Sequence, residues 1–202
     1  MITSSSKLIP KLKFYEPERN LPGRKLHGMT EEARFTLKFA RTYIGNHTAI
    51  HHKTKKKSIV CARQIAVNGF GIADIVAVTW DSNQRRNKNL LTIDDFMKIY
   101  NPTVRAFEIK LNNWRKGLTQ THRYRYFANS AILVLPSNKI TLALKYLDTF
   151  KAIHVGLWSF DFYSQSILPY YTPRPSSPLT NKHTKRVIKR LAKTSMKSLP
   201  VL

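Results

Sequence analysis

Ala131-Ile132-Leu133-Val134-Leu135 is an unbroken apolar run between Ser130 and Pro136. A run of this kind marks a strand buried on both faces. The neighbouring segments read as helices. Asn113 can cap one from Trp114 to about Asn129, and Ser137 opens an amphipathic one to about Phe150. A helix leading into a buried strand implies a parallel crossover, so the expected class is α/β with a mixed central sheet flanked by helices.

The rest of the chain fills in this frame. Ser58 to Val67 and Gly71 to Trp80 are β-rich runs separated by Asn68-Gly69, a strong hairpin signal. Thr30, followed by Glu31 and Glu32 and by apolar Phe35, Leu37, Phe39, Ala40 and Ile44, predicts a helix over roughly 30–44. Gly45-Asn46 is expected to end it, leaving His47 to Lys57 as a basic loop. Thr92-Ile93-Asp94-Asp95 reads as the capped start of a short helix ending near Tyr100. Thr103 to Lys110 is a third strand, and Ile153 to Phe160 is expected to close the core as the last. The organisation expected is an irregular arm over 1–28, a core over 29–161, and a basic, Pro-containing extension over 162–202. Val187, Ile188 and Leu191 make a narrow apolar stripe in that extension, which reads as a frayed amphipathic helix or a disordered tail.

Charge narrows the function. Thirty-five Lys and Arg against eleven Asp and Glu give a net charge of +24, while 42% hydrophobic residues exclude a disordered basic tail. No acid stands between Glu32 and Asp74, between Glu108 and Asp148, or after Asp161. Such a surface is expected to attract a polyanion, with binding that weakens steeply in salt. No apolar run approaches the ~20 residues that span a bilayer, and no secretory signal is visible, so a soluble, cytoplasmic protein without a membrane partner is expected. A single cysteine, Cys61, excludes a disulfide framework and a Cys-rich zinc site.

Two acids stand out because each lies alone in basic, apolar surroundings. Asp74 sits in the second β-rich run. Glu108 and Lys110 sit in the third, two residues apart and so on one face of a strand. If the strands are neighbours, Asp74 joins them. An acid in an apolar strand is costly unless paired or metal-bound. Two carboxylates with the Ile109 carbonyl form a hard-oxygen set suited to Mg²⁺ or Mn²⁺. Lys110 beside it can orient or deprotonate a water, or balance charge on a phosphate. In outline this is a phosphodiester hydrolysis site.

At these residues the chain resembles the PD-(D/E)XK nuclease superfamily, with its restriction-endonuclease-like αβββαβ core. The D…ExK pattern is Asp74, Glu108 and Lys110. Gln120 and Tyr124, on one face of the following helix, match the QxxxY motif of the RecB-like branch. The resemblance covers roughly residues 30–161. Ala73 stands where the family name has Pro, and one cysteine cannot ligate an iron–sulfur cluster, which excludes that sub-branch. The resemblance implies a Mg²⁺- or Mn²⁺-dependent deoxyribonuclease. Asp74, Glu108 and the Ile109 carbonyl would be metal ligands, and Lys110 the base. Gln120 and Tyr124 would position the site. An acid of the first helix, Glu32 or its neighbour Glu31, would complete the metal set. Lys53, Lys55, Lys56 and Lys57 of the basic loop, with Lys116, Arg123 and Arg125, are expected to hold the DNA backbone. No target-recognition or motor domain is visible, so specificity is expected from a homodimer or another subunit.

The residues also admit plainer readings. Asp74 can be a partner for Arg63 across the hairpin, and Glu108 with Lys110 can be a charge pair on an edge strand. Rival functions are a nucleic-acid-binding subunit with an inactive nuclease fold, and a structural ribosome- or nucleoid-associated basic protein.

Overall fold

The structure, a computed structural model, describes residues 29–52, 57–81 and 92–197. It is mixed α/β. One six-stranded sheet runs in chain order through β1 (Lys57–Val67), β2 (Gly71–Asp81), β3 (Thr103–Ile109), β4 (Ser130–Pro136), β5 (Val155–Phe160) and β6 (Ile167–Tyr171). β1–β2, β2–β3 and β5–β6 pair antiparallel, while β3–β4 and β4–β5 are parallel. The helices are α1 (Glu31–His52), α2 (Ile93–Tyr100), α3 (Trp114–Arg123), α4 (Thr141–Leu144), α5 (Leu147–Ala152) and α6 (Asn181–Lys197).

Local chemistry sets most boundaries. The Thr30 hydroxyl accepts from the Ala33 N–H at the start of α1, and the Thr92 hydroxyl accepts from the Asp95 N–H at the start of α2. Asn113, at φ 51°, caps α3 by accepting from the Lys116 N–H. Asn68-Gly69 turns the hairpin, with Gly69 at φ 84° and Val67 paired to Gly71.

The sheet separates two apolar layers. On one face α1 lays Phe35, Phe39, Tyr43 and Ile44 against Phe107, Ile132, Trp158 and Phe160, with T-shaped contacts such as Phe39–Phe107 at 5.3 Å between ring centroids. On the other face, Phe96 of α2 and Val187, Ile188 and Leu191 of α6 pack with Val60, Val76 and Val104. Beside them, residues of α3 to α5 cover Leu133, Leu135, Val155 and Leu157. All residues of β4 but the last are buried, as a strand covered on both faces requires.

Several expectations are corrected. α1 runs through Gly45-Asn46 to His52, so most of the expected loop from His47 is helical. One interior glycine costs only about 1 kcal/mol, and the turn is held by the Thr48 hydroxyl donating to the Ile44 carbonyl at 2.8 Å. α3 stops at Arg123 and tightens into a 3₁₀ turn over Tyr124–Tyr126, short of Asn129. The helix expected over 137–150 is broken into a 3₁₀ turn, α4 and α5. β5 is not the last strand, and β3 lies inside the sheet, which removes the edge-strand reading of Glu108 and Lys110. The segment after residue 161 contributes β6 and α6 to this sheet and core, so the described part of the expected extension is not a detached tail. The expected arm over 1–28 and Lys53, Lys55 and Lys56 lie outside the described residues.

Candidate functional site: a carboxylate–lysine cluster where two strands part

The site begins with an irregularity in the hairpin. On β1, Val60 and Ala62 pack in one apolar layer and Cys61 in the other; past Gln64, Ile65 and Val67 return to the first layer. The same change of parity occurs on β2, between Ala73 and the Val76–Val78 stretch. Gln64 has φ 50°, and Arg63↔Ile75 with Ile65↔Ala73 puts it opposite Asp74. A strict two-residue period would place Ala73 and Val76 on opposite faces, so both strands swap faces at this level.

The β2–β3 ladder stops here too. Its last pair is Ile75↔Phe107, and the next N–H of β3 that faces β2, that of Ile109, donates to Asp74 Oδ2 at 2.8 Å. Asp74 thus continues the ladder with its side chain. Extending the register by one residue sets Asp74 opposite Glu108. Antiparallel pairing does what the sequence only made conditional: it brings the acid of β2 beside the Glu-x-Lys of β3.

Glu108 is 1% exposed. Its Oε1 lies 2.7 Å from the Lys110 ammonium, and its Oε2 accepts from the Tyr124 hydroxyl. That hydroxyl also lies 2.8 Å from the Ile72 carbonyl, so Tyr124 ties β2, β3 and the end of α3 together. Lys110 reaches Glu32 Oε1 at 3.7 Å. Of the two acids at the start of α1, Glu32 is therefore the one beside the cluster. Glu31 lines the neighbouring cleft.

The electrostatics follow from burial and proximity. Desolvation, then repulsion from Glu108, pushes the Asp74 carboxyl up to about 6, against the Ile109 N–H and Lys110. Burial pulls the Lys110 ammonium down, but Glu108, Asp74 and Glu32 together outweigh it and hold it above its ordinary value. Burial, then Glu108 and Asp74, raise the Tyr124 phenol, so it keeps its O–H for donation. Arg63 is lowered by burial, partly restored by Asp74, and its Nε is buried without a hydrogen-bond partner. Asp74 attracts the Arg63 guanidinium, but the two form no ion pair, so the hairpin partnership weighed from sequence is not made as a contact.

A cation fits the donor set in one respect: two carboxylates repel each other where one has its pKa raised. The Gln120 Oε1 is buried with no hydrogen-bond partner, on the helix that ends at Tyr124. Among the described residues no three His, Cys, Asp or Glu side chains are grouped as a metal-binding set; Glu32 stands beside the cluster, 3.7 Å from the Lys110 ammonium and near enough to help raise the Asp74 carboxyl. Ile109 meets the site through its N–H, which serves Asp74.

Of the expected backbone-binding residues, Lys57 is exposed at the start of β1, and Lys116 and Arg123 are exposed on α3. Arg125 is half-buried and donates to the Ile153 carbonyl at 3.1 Å, so part of its guanidinium is committed to the fold. One residue escaped the sequence reading. A Cβ on Gly117 would stand 2.7 Å from Leu133 Cδ1 and 2.8 Å from Lys110 Cγ. Gly117 thus lets α3 lie close over β4 and against the Lys110 stem. A lone Gly inside a helical pattern was the available signal.

At the level of class, the fold and cluster define a mixed α/β protein with a carboxylate–lysine–tyrosine site at the end of a central strand. Comparison with family models, curated proteins and solved structures finds no match for this chain.

Proposed function

We propose that this protein is a divalent-cation-dependent nuclease with a restriction-endonuclease-like core, hydrolysing DNA phosphodiester bonds. The observation that carries the reading is the convergence of Asp74, Glu108 and Lys110 where β2 and β3 part, with Tyr124 of the next helix on Glu108. Asp74 and Glu108, with the Ile109 carbonyl, would hold Mg²⁺ or Mn²⁺. The cation would supply Lewis-acid polarisation of the phosphate and acidify the attacking water. Lys110 places a positive charge beside the carboxylates, where it can hold a water by hydrogen bonds and offset charge developing on the phosphate oxygens. Tyr124 fixes the Glu108 rotamer, and Glu32 helps fix the Lys110 ammonium. The net charge of +24 supports a polyanionic substrate.

The test is cleavage of single-stranded, duplex and branched DNA by the full chain with Mg²⁺, Mn²⁺, Ca²⁺ or EDTA. Cleavage in Mg²⁺ or Mn²⁺ that Glu108→Gln abolishes supports the reading. Cleavage that survives in an Asp74→Asn/Glu108→Gln double variant sinks the site assignment.

A second reading has its own observation. Both Glu108 oxygens are already satisfied, by Lys110 and Tyr124, as in a buried structural network. On that reading the protein is a nucleic-acid-binding subunit without hydrolysis. DNA binding with no cation affinity by calorimetry and no cleavage would select it.

A further inference from the structure

A cleft of about 630 Å³ opens beside the cluster, at the carboxyl ends of the parallel strands. Its walls include Leu111, which follows Lys110, and Glu31, which precedes Glu32, as well as Pro136 and Phe160 at the ends of β4 and β5. We infer that this cleft seats an unpaired nucleotide next to the reacting phosphodiester, with its base on Tyr163 and its phosphates on Arg34 and Lys139. The substrate class of the proposed nuclease is then single-stranded or splayed nucleic acid. This rests on the nuclease reading for the reaction, but not for the binding.

Tyr163 carries the inference. It is 90% exposed at the β5–β6 turn, and its ring meets the fold through a T-shaped contact with Phe162, 5.7 Å between centroids. The turn that presents it is fixed. Asp161 Oδ1 accepts from the Tyr163 and Ser164 N–H groups at 2.9 and 2.7 Å, and the Asp161 N–H donates to the Ser166 carbonyl at 2.9 Å. Behind it, Phe162 stacks on Phe35 at 6.2 Å and 15°, with the Lys38 ammonium 4.2 Å from the Phe162 centroid. A rigid, exposed aromatic beside cations is a stacking platform, and stacking tolerates any base. Arg34 and Lys139 are exposed in the same lining. Lys139 donates to Asn112 Oδ1 at 2.7 Å, which uses one of its three N–H groups and steadies it. The Asp161 carboxylate is already engaged by its own turn. A lone aromatic tip reaches the face of a base only when that base has left the duplex stack, which is why the occupant is unpaired.

The experiment is fluorescence anisotropy with a labelled single-stranded oligonucleotide, the full chain and EDTA, so that hydrolysis plays no part. Tyr163→Ala is expected to weaken binding roughly tenfold, with Tyr163→Phe close to wild type, as loss of one base–aromatic stack implies. Blunt duplex of equal length should bind both forms alike, and an abasic oligonucleotide should bind wild type as weakly as the alanine variant binds the intact one. Equal affinity of wild type and Tyr163→Ala for the single strand overturns the inference, as does failure to bind any nucleic acid. Tyr163-dependent binding with no cleavage under any metal upholds the cleft and removes the nuclease reading. Cleavage with no effect of Tyr163→Ala on binding does the reverse.

Discussion

Asp74 is the residue where stability and proposed function oppose each other. Its carboxyl is pushed up to about 6 by burial and by Glu108, whereas an unfolded aspartate titrates near 4. The folded state therefore binds the proton more tightly. The stability linked to this group is fully present below about pH 4 and is lost as pH rises through about 6. Asp74→Asn should remove that loss, raising metal-free stability at neutral pH by on the order of 2 kcal/mol. Asn retains an acceptor for the Ile109 N–H. Thermal melts in EDTA from pH 4 to 8 check this: the wild-type contribution declines across the window, the variant's does not, and cation-dependent cleavage is gone. Lys110→Ala is a poorer probe. It strands a carboxylate that is 1% exposed, and breaking a buried pair costs about 3–5 kcal/mol. Glu108→Gln keeps the volume and one acceptor for Lys110, while its amide N–H can donate to the Tyr124 hydroxyl, which still donates to the Ile72 carbonyl.

Among the elements, α3 does the most for the site. It carries Gln120, ends at Tyr124, and lies close enough to β4 that Gly117 has no room for a methyl group. Gly117→Ala should push the helix outward and shift the Lys110 stem. Overpacking of this kind costs about 1–3 kcal/mol. The measurement is the urea midpoint together with cleavage rate. Loss of activity beyond the fraction unfolded marks Gly117 as positioning Lys110. α6 tests a different point. Leu191 is fully buried in the layer with Val60 and Val76, so Leu191→Ala should cost about 2–5 kcal/mol. A melt unchanged by that substitution would mean that α6 does not belong to the core. Helix and hairpin starts were legible because a cap or turn is written in adjacent residues, as at Thr30, Thr92, Asn113 and Asn68-Gly69. β6 was not. Its Pro169 reads as punctuation, and only pairing with β5 makes Ile167–Tyr171 an edge strand that tolerates it.

For the whole molecule, charge governs association. At +24, log affinity for DNA should fall steeply and linearly with log salt. Reversing the exposed Lys116 and Arg123 should reduce the slope by about 0.9 for each phosphate that is no longer neutralised, read by titrations at several salt concentrations. An unchanged slope means those residues do not touch the backbone. Composition, the buried β4 run and the hairpin established a basic α/β protein with a mixed sheet, because charge and short-range hydrophobic period are properties of neighbouring residues. The candidate acids were visible for the same reason: each stood alone in an apolar strand. Their meeting was not visible. It depends on β2 pairing antiparallel with β3 in one register, on a face swap at Gln64 and Asp74, and on Tyr124 arriving from α3. Those are interactions across 16 to 35 residues of chain. Only the packed sheet decides which of the possible registers is realised, since a one-residue slip would turn every side chain of β3 to the other face.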